Sequence, residues 1–221
     1  SHCMWLKTIV SKAHYNGLTQ RNPFAQYRVN QNIKERQYLT EDEIKTVMTH
    51  EFADKKLAYI RDLFVFASFT ALSFVDIKEL TTDDIVEING EKWILSKRHK
   101  TKVNFQVKLL DIPLQIIKRY ERFQENKLVF PNLNYWNVCK PLKKMIKECG
   151  ISKDISFHCT RHGFATLALS KGVPIESVSR VLGHTNITTA QRYAKITTEK
   201  IDKELTMFGN RLNQSFSEIS M

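Results

Sequence analysis

No stretch of this chain stays apolar for the ~18 residues that a membrane-spanning helix needs, and no signal-peptide pattern stands at its start. None of its four cysteines (Cys3, Cys139, Cys149, Cys159) falls in a Cys-x-x-Cys pair. Without an export signal such thiols are expected to be free, in a reducing compartment. There is no internal repeat and no low-complexity tract. Together these absences argue against a membrane span, a disulfide framework and a repeat architecture. Acidic side chains are also scarce: 23 Asp and Glu stand against 34 Lys and Arg, a formal net charge of +11. What remains is a chain of 221 residues, 42% hydrophobic, enough for one cored domain with or without a remnant of another. Its basic balance favours a polyanionic partner, of which nucleic acid is the commonest.

The pattern along the chain is mostly helical. SHCM, residues 1–4, reads as a cloning scar. Trp5 to Gly17 has helical spacing, with Leu6, Ile9, Val10 and Ala13 on one face and Gly17 as the stop. Residues 5–19 read as the last helix of a domain otherwise absent, and residues 20–38, polar and basic, as a linker. Thr40-Glu41-Asp42-Glu43 is a capping box. Residues 55–72 are apolar almost all round and belong in the core. Ile85 to Ile88, the Asn89-Gly90 turn and Trp93 to Leu95 spell a hairpin. A second turn near Arg98 to Lys102 leads into Val103 to Leu110, alternating with period two. Pro113 opens a helix, Asn134 to Cys149 forms another, and everything after Ser156 reads as helical. The expected fold is mainly α with a small three-stranded antiparallel β-sheet.

Three segments bear chemistry. In FHCTRHG, residues 157–163, His158 and Arg161 share a helical face at a helix start, where backbone N–H groups and a guanidinium fork suit an anion. KRHKTK, residues 97–102, crowds Lys97, Arg98, His99, Lys100 and Lys102 onto one β-turn, either as a solvated tip or as a basic finger aimed at a phosphodiester. Residues 172–196 have the rhythm of a helix-turn-helix. Pro174 begins a helix, Leu182-Gly183 ends it, Asn186 caps the next, His184 lies in the turn and Tyr193 late in the second helix. A core aromatic is the default reading of Tyr193 at such a position; the alternative is a nucleophile served by His184.

Taken together, His158-Cys-Thr-Arg161, then Leu182-Gly-His184, then Tyr193 nine residues on, resemble in order and spacing the signature of the tyrosine recombinases, the lambda-integrase family. FTALSFVDIKEL, residues 69–80, resembles that family's first box, usually T-G-L-R-x-S-E-L, in a form most like the conjugative-transposon integrases. Lys100-Thr101 falls where the family carries its catalytic lysine. The resemblance runs from about Leu39 to Ile196 and implies a tyrosine-recombinase catalytic domain over residues 39–196.

The resemblance further implies that Tyr193 attacks a scissile phosphate, giving a 3′-phosphotyrosyl bond and a 5′-hydroxyl. Arg161, His158 and His184 would grip the phosphate and manage protons, and Lys100 would protonate the leaving 5′-oxygen. Lys97, His99 and Lys102 are candidate DNA contacts. In one place the chain departs from the pattern. The family's first arginine aligns with Ser73, while Asp76 stands where the family has that arginine's acidic partner. Arg98 is the nearest candidate to fill the gap, ahead of His99 and Lys97.

The implied partner is double-stranded DNA, bound as a tetramer with an accessory DNA-bending protein. No cofactor, metal or membrane is implied, and the expected location is the cytoplasm, at the nucleoid. Residues 197–221 form an amphipathic helix and tail, with Ile201, Leu205, Phe208 and Leu212 on one stripe. Docking on a neighbouring protomer and packing on its own domain both stay open for it. Three competing readings are a helix-turn-helix DNA-binding module without catalysis, a zinc site from His158, Cys159, His162 and His184, and a type IB topoisomerase. The last shares the tyrosine chemistry, but chain size and motif order favour the recombinase.

Overall fold

The computed structural model describes residues 2–28, 37–99, 103–184, 186–191, 193 and 198–215; in the last of these stretches only the side chains of 202, 204–210, 212 and 213 are included. The chain divides into two units, residues 1–35 and 36–221. In the first, α1 (His2–Tyr15) takes in most of SHCM, because nothing in those residues breaks a helix. It ends on Gly17 at φ +72°, with the Leu18 amide returning to the Ala13 carbonyl at 2.9 Å. No residue of α1 is buried.

The second unit is built around α3 (Lys55–Thr70), which follows α2 (Glu41–Thr49). Thr40 caps α2 through the reciprocal box with Glu43 that the sequence spells out. Asp54 caps α3 by accepting from the Lys56 amide at 2.8 Å. Leu57, Ile60, Leu63, Phe64, Val65, Phe66 and Ala67 of α3 are all buried, as an all-round apolar helix requires. One carboxylate goes in with them. Asp62 accepts from Arg61 Nε (2.9 Å), Arg119 Nη1 (2.6 Å) and Tyr120 Oη (2.7 Å), which supply the partners a buried charge needs. The helix stops at Ala71 in the left-handed region, φ 55°.

After α4 (Phe74–Glu79), β1 (Ile85–Ile88), β2 (Glu91–Lys97) and β3 (Asn104–Lys108) make an antiparallel meander in the order β1-β2-β3. Asn89 and Gly90 both take positive φ, the geometry of a two-residue hairpin turn. The register pairs Ile88 with Glu91 and Lys97 with Asn104. Residues 103, 109 and 110, expected in the third strand, lie outside it. Next, α5 (Asp111–Tyr120) begins two residues before Pro113, not at it. A proline is harmless there, since first-turn amides have no intrahelical acceptor. α6 (Tyr135–Glu148) is capped by Asn134.

The C-terminal part is less continuously helical than its composition suggests. α7 (Phe157–Ser170) and α8 (Ile175–Val181) are separated by a turn at Gly172, and α8 and α9 (Thr188–Gln191) by one at Gly183, both at positive φ; α10 (Thr198–Ser215) follows. α9 is a single turn, and Tyr193 lies beyond its end rather than late inside it. Among the described residues no helix is long and apolar enough to cross a membrane.

Candidate active site

The site forms where α7, α8 and the end of β2 meet the turn after α3. Phe157 anchors the start of α7, buried edge-to-face against Phe64 (5.9 Å) and Phe74 (5.6 Å). Cys159 Sγ sits 3.3 Å from the Ser156 amide and hydroxyl, so it is engaged at the helix start. With that turn fixed, His158 stays exposed while Arg161 swings inward. Arg161 Nη1 donates to the Ala71 carbonyl at 2.9 Å, and Nη2 donates to the Leu182 carbonyl. The left-handed turn at Ala71 thus aims a carbonyl at the guanidinium.

Arg98 does not join its neighbours on an exposed tip. It is only 5% accessible. Its backbone N–H still donates to the Val103 carbonyl (2.8 Å), but the side chain folds under the sheet. Nη1 donates to Asp76 Oδ2 at 2.7 Å, Nη2 donates to the Val181 carbonyl at 2.6 Å, and the guanidinium lies 4.0 Å over the Phe105 ring. The expectation of five cationic side chains crowding one tip therefore fails at Arg98, because a buried carboxylate and an aromatic face hold it in. Lys97 is exposed, and His99 reaches Glu79 at 3.3 Å. Lys100 and Lys102 lie outside the described residues.

Asp76 explains Ser73. The serine caps α4, and its N–H and hydroxyl donate to Asp76 Oδ2 at 3.1 and 2.7 Å. Asp76 Oδ1 also accepts the His99 amide at 3.2 Å. Burial alone would raise the Asp76 pKa, but the Ser73 hydroxyl and the Arg98 charge overcome it and hold the carboxyl below its ordinary range. Asp76 is thus a fully engaged anion whose guanidinium arrives from the end of β2 instead of from position 73.

The two guanidiniums meet at the end of α8. Val181 and Leu182 carry carbonyls that a short helix leaves unpaired, and a helix C-terminus favours cations. Arg98 takes the first of these carbonyls and Arg161 the second. Burial, then the neighbouring charge of Arg98, lowers the Arg161 pKa to about 10, so it is still cationic at neutral pH. Gly183 comes next, at φ +61°. A Cβ there would lie 2.9 Å from both Cγ and Nε of Arg98, so only glycine fits. His184 follows.

Tyr193 packs half-buried against the small core of Ala71, Ala165, Leu169, Val178 and Leu182. Two histidines flank its ring: His184 stacked at 6.4 Å, and His162 edge-on at 4.8 Å. The structure thus brings Arg98, Arg161, His184, Asp76 and Tyr193 into one region, with Ser73 behind Asp76. Among the described residues no group of three or more His, Cys, Asp or Glu side chains is placed to hold a metal ion. Sequence reasoning missed Phe105, Tyr38 and the role of His162. Period-two alternation places Phe105 on the inward face with Val107, which was the available signal.

Comparison with known proteins identifies the family and the fold. Residues 37–200 match the Phage integrase family. The chain is 27% identical over 206 residues to a tyrosine recombinase of Thermosipho africanus, covering 89% of this chain and 71% of that one. It is also 27% identical over 143 residues to tyrosine recombinase XerC of Myxococcus xanthus, covering 58% of this chain but only 48% of the relative. The fold is shared with the Tn1549 transposon integrase solved with circular intermediate DNA (TM-score 0.74, 17% identity, 90% of this chain and 75% of that one). It is shared as well with a lambda integrase dimer bound to a core site (TM-score 0.67, 20% identity, 87% and 74%). The chain belongs to the phage integrase family. Within it, the fold is that of a tyrosine-recombinase catalytic domain.

Proposed function

We propose that this chain cuts and rejoins double-stranded DNA at specific sites, through a covalent 3′-phosphotyrosyl link to Tyr193. The observation that carries the reading is the pair of guanidiniums, Arg98 and Arg161, side by side on successive carbonyls in the region of the half-buried Tyr193. Two cationic forks can stabilise the charge that builds on the non-bridging oxygens of a five-coordinate phosphorane. Arg98 replaces the cation missing at Ser73, and its pairing with Asp76 supports that assignment.

In the forward step the Tyr193 oxygen attacks phosphorus and gives up its proton. The bond from phosphorus to the 5′-oxygen breaks, and Lys100 supplies the proton this oxygen takes. His158 and His184 hydrogen-bond the phosphate and move protons. In the second step a 5′-hydroxyl attacks the phosphotyrosyl phosphorus and passes its proton to Lys100, while the bond from phosphorus to Tyr193 breaks and the phenol oxygen takes back a proton from the histidines. One phosphodiester is exchanged for another, so no nucleotide hydrolysis is needed to drive it.

Lys97, His99 and Lys102 contact the DNA backbone. The protein works as a tetramer on DNA in the cytoplasm, at the nucleoid, with an accessory DNA-bending protein. Residues 5–19 belong to a core-binding domain, 20–38 link it to the catalytic domain (39–196), and 197–221 dock on a neighbouring protomer. Transposon or phage integration and excision is the biological setting, which the resemblance to conjugative-transposon integrases supports. The test is incubation with a nicked cognate site. A covalent protein–DNA band is expected from the native chain and none from Tyr193→Phe, with DNA binding little changed. An adduct persisting in Tyr193→Phe removes Tyr193 as nucleophile.

A further inference from the structure

Tyr193 is reached by a row of rings that starts at the edge of the proposed linker. Tyr38 stacks face-to-face on His162, with centroids 4.8 Å apart and planes 14° from parallel. His162 in turn meets the Tyr193 ring edge-on at 4.8 Å and 80°. Thr166 Oγ1 lies 3.4 Å from His162 Nδ1, which holds the imidazole from its own helix.

The segment that carries Tyr38 is itself pinned. Gln37 Oε1 accepts from the Asp154 amide at 2.7 Å. Lys153 Nζ donates both to the Tyr38 carbonyl (3.1 Å) and to Glu43 (2.6 Å), the residue that closes the α2 capping box. Leu39 is buried in the main core. The segment lies close on α7 beside His162: a Cβ placed on Gly163 would be in ordinary contact, at 3.8 Å, with the Leu39 carbonyl and Tyr38 Cβ.

Tyr193 lies beyond a one-turn helix, and its N–H donates to the Ala190 carbonyl at 3.0 Å, which fixes the backbone but leaves the ring's direction to its surroundings. Its ring needs side-chain walls if the phenol oxygen is to stand in line with a phosphate. Stacked and edge-to-face aromatic pairs supply such walls, with preferred geometry beyond simple burial. We infer that Tyr38 is a positioning residue for the nucleophile, acting through His162, so that residues 37–39 form a strap setting where the Tyr193 oxygen stands. The inference rests on Tyr193 being the nucleophile.

The experiment measures single-turnover cleavage of a nicked site at saturating DNA, with DNA affinity and thermal midpoint determined in parallel. Tyr38→Ala and His162→Ala are each expected to slow adduct formation by ~10- to 100-fold, the penalty for loosening a reacting group by about an ångström. Tyr38→Phe is expected to cleave at the native rate, since the ring and not the hydroxyl makes the stack. Tyr38→Leu keeps apolar volume without the ring and is expected to be slow, which guards against Tyr38→Ala simply failing to fold. Because Tyr38 acts through His162, the double alanine variant is expected to be no slower than His162→Ala, within about 3-fold. Native-rate cleavage by Tyr38→Leu or Tyr38→Ala overturns the inference. So does equal slowing by Tyr38→Phe, or a double variant whose losses multiply. Tyr193→Phe runs beside them: adducts from that variant remove the nucleophile assignment itself, a different failure from a strap variant that cleaves normally.

Discussion

Gly183→Ala is expected to damage this protein for two separable reasons. The first is local: φ is +61° at this residue, and an L-residue in the left-handed region costs about 1–2 kcal/mol. Reduced freedom of the unfolded chain returns about 0.4–1 kcal/mol of that. The second is contact with Arg98. The new methyl would stand 2.9 Å from Arg98 Cγ and Nε, where carbon–carbon contacts prefer roughly 3.5–4.0 Å, so something must yield by at least ~0.5 Å. Arg98 has nowhere to go. Asp76 holds Nη1 at 2.7 Å, the Val181 carbonyl holds Nη2 at 2.6 Å, and Phe105 lies 4.0 Å beneath. Such overpacking costs about 1–3 kcal/mol. The full effect on stability is therefore about 2–4 kcal/mol, read from urea unfolding. In an Arg98→Ala background the second contribution vanishes, and Gly183→Ala is expected to lose only about 1 kcal/mol. The cycle thus predicts a coupling of about 1–3 kcal/mol between residues 85 positions apart in sequence. Equal penalties in both backgrounds would refute the reasoning and reduce Gly183 to a turn glycine.

Arg98→Ala is expected to slow cleavage of a nicked site by ~10²-fold or more, and Ser73→Arg in that background to recover part of the rate. Cleavage by Arg98→Ala at the native rate sends the search for the missing cation to Lys97 or His99. Duplex binding should weaken with salt, each phosphate contact adding about −0.9 to the log–log slope; salt-independent affinity contradicts a DNA face built from this net charge. Cleavage is expected to persist in EDTA, and a loss reversed by a divalent ion revives the zinc reading. Asp76 has a lowered pKa in the fold, so its contribution to stability is present above the ordinary carboxylate range and disappears as pH falls through its folded value. Asp76→Asn should flatten that acid limb of a stability-against-pH curve, and an unchanged limb assigns it elsewhere.

The elements best read from sequence were those whose signal is local. Asn89-Gly90 specifies its hairpin through two positive-φ residues, and Thr40 with Glu43 specifies a helix start by reciprocal hydrogen bonds. Neither depends on anything distant. The inward turn of Arg98 was not legible that way. On the page it stands among other cations at a turn. What draws it in is Asp76, 22 residues earlier, and the Val181 carbonyl, 83 residues later. The cap at Asn186 predicts a helix long enough to hold Tyr193 near its end, yet α9 closes after one turn. Tyr38 gave no signal at all. An aromatic at the end of a polar stretch looks like linker until His162 is seen beneath it.

The way α8 ends has a mechanical consequence. A helix of 7 residues would not persist alone, and α8 is held by its packing, through Val178, and by what its end is tied to. Its terminal carbonyls are tied to the sheet through Arg98 and to α7 through Arg161. A tilt of α8 therefore pulls on both arginines at once, and it carries His184 along, three residues past the helix. The two arginines and the end of α8 are thus joined as a single part of the site. Any shift of α8 is therefore expected to move the two cations together, with the spacing between them preserved.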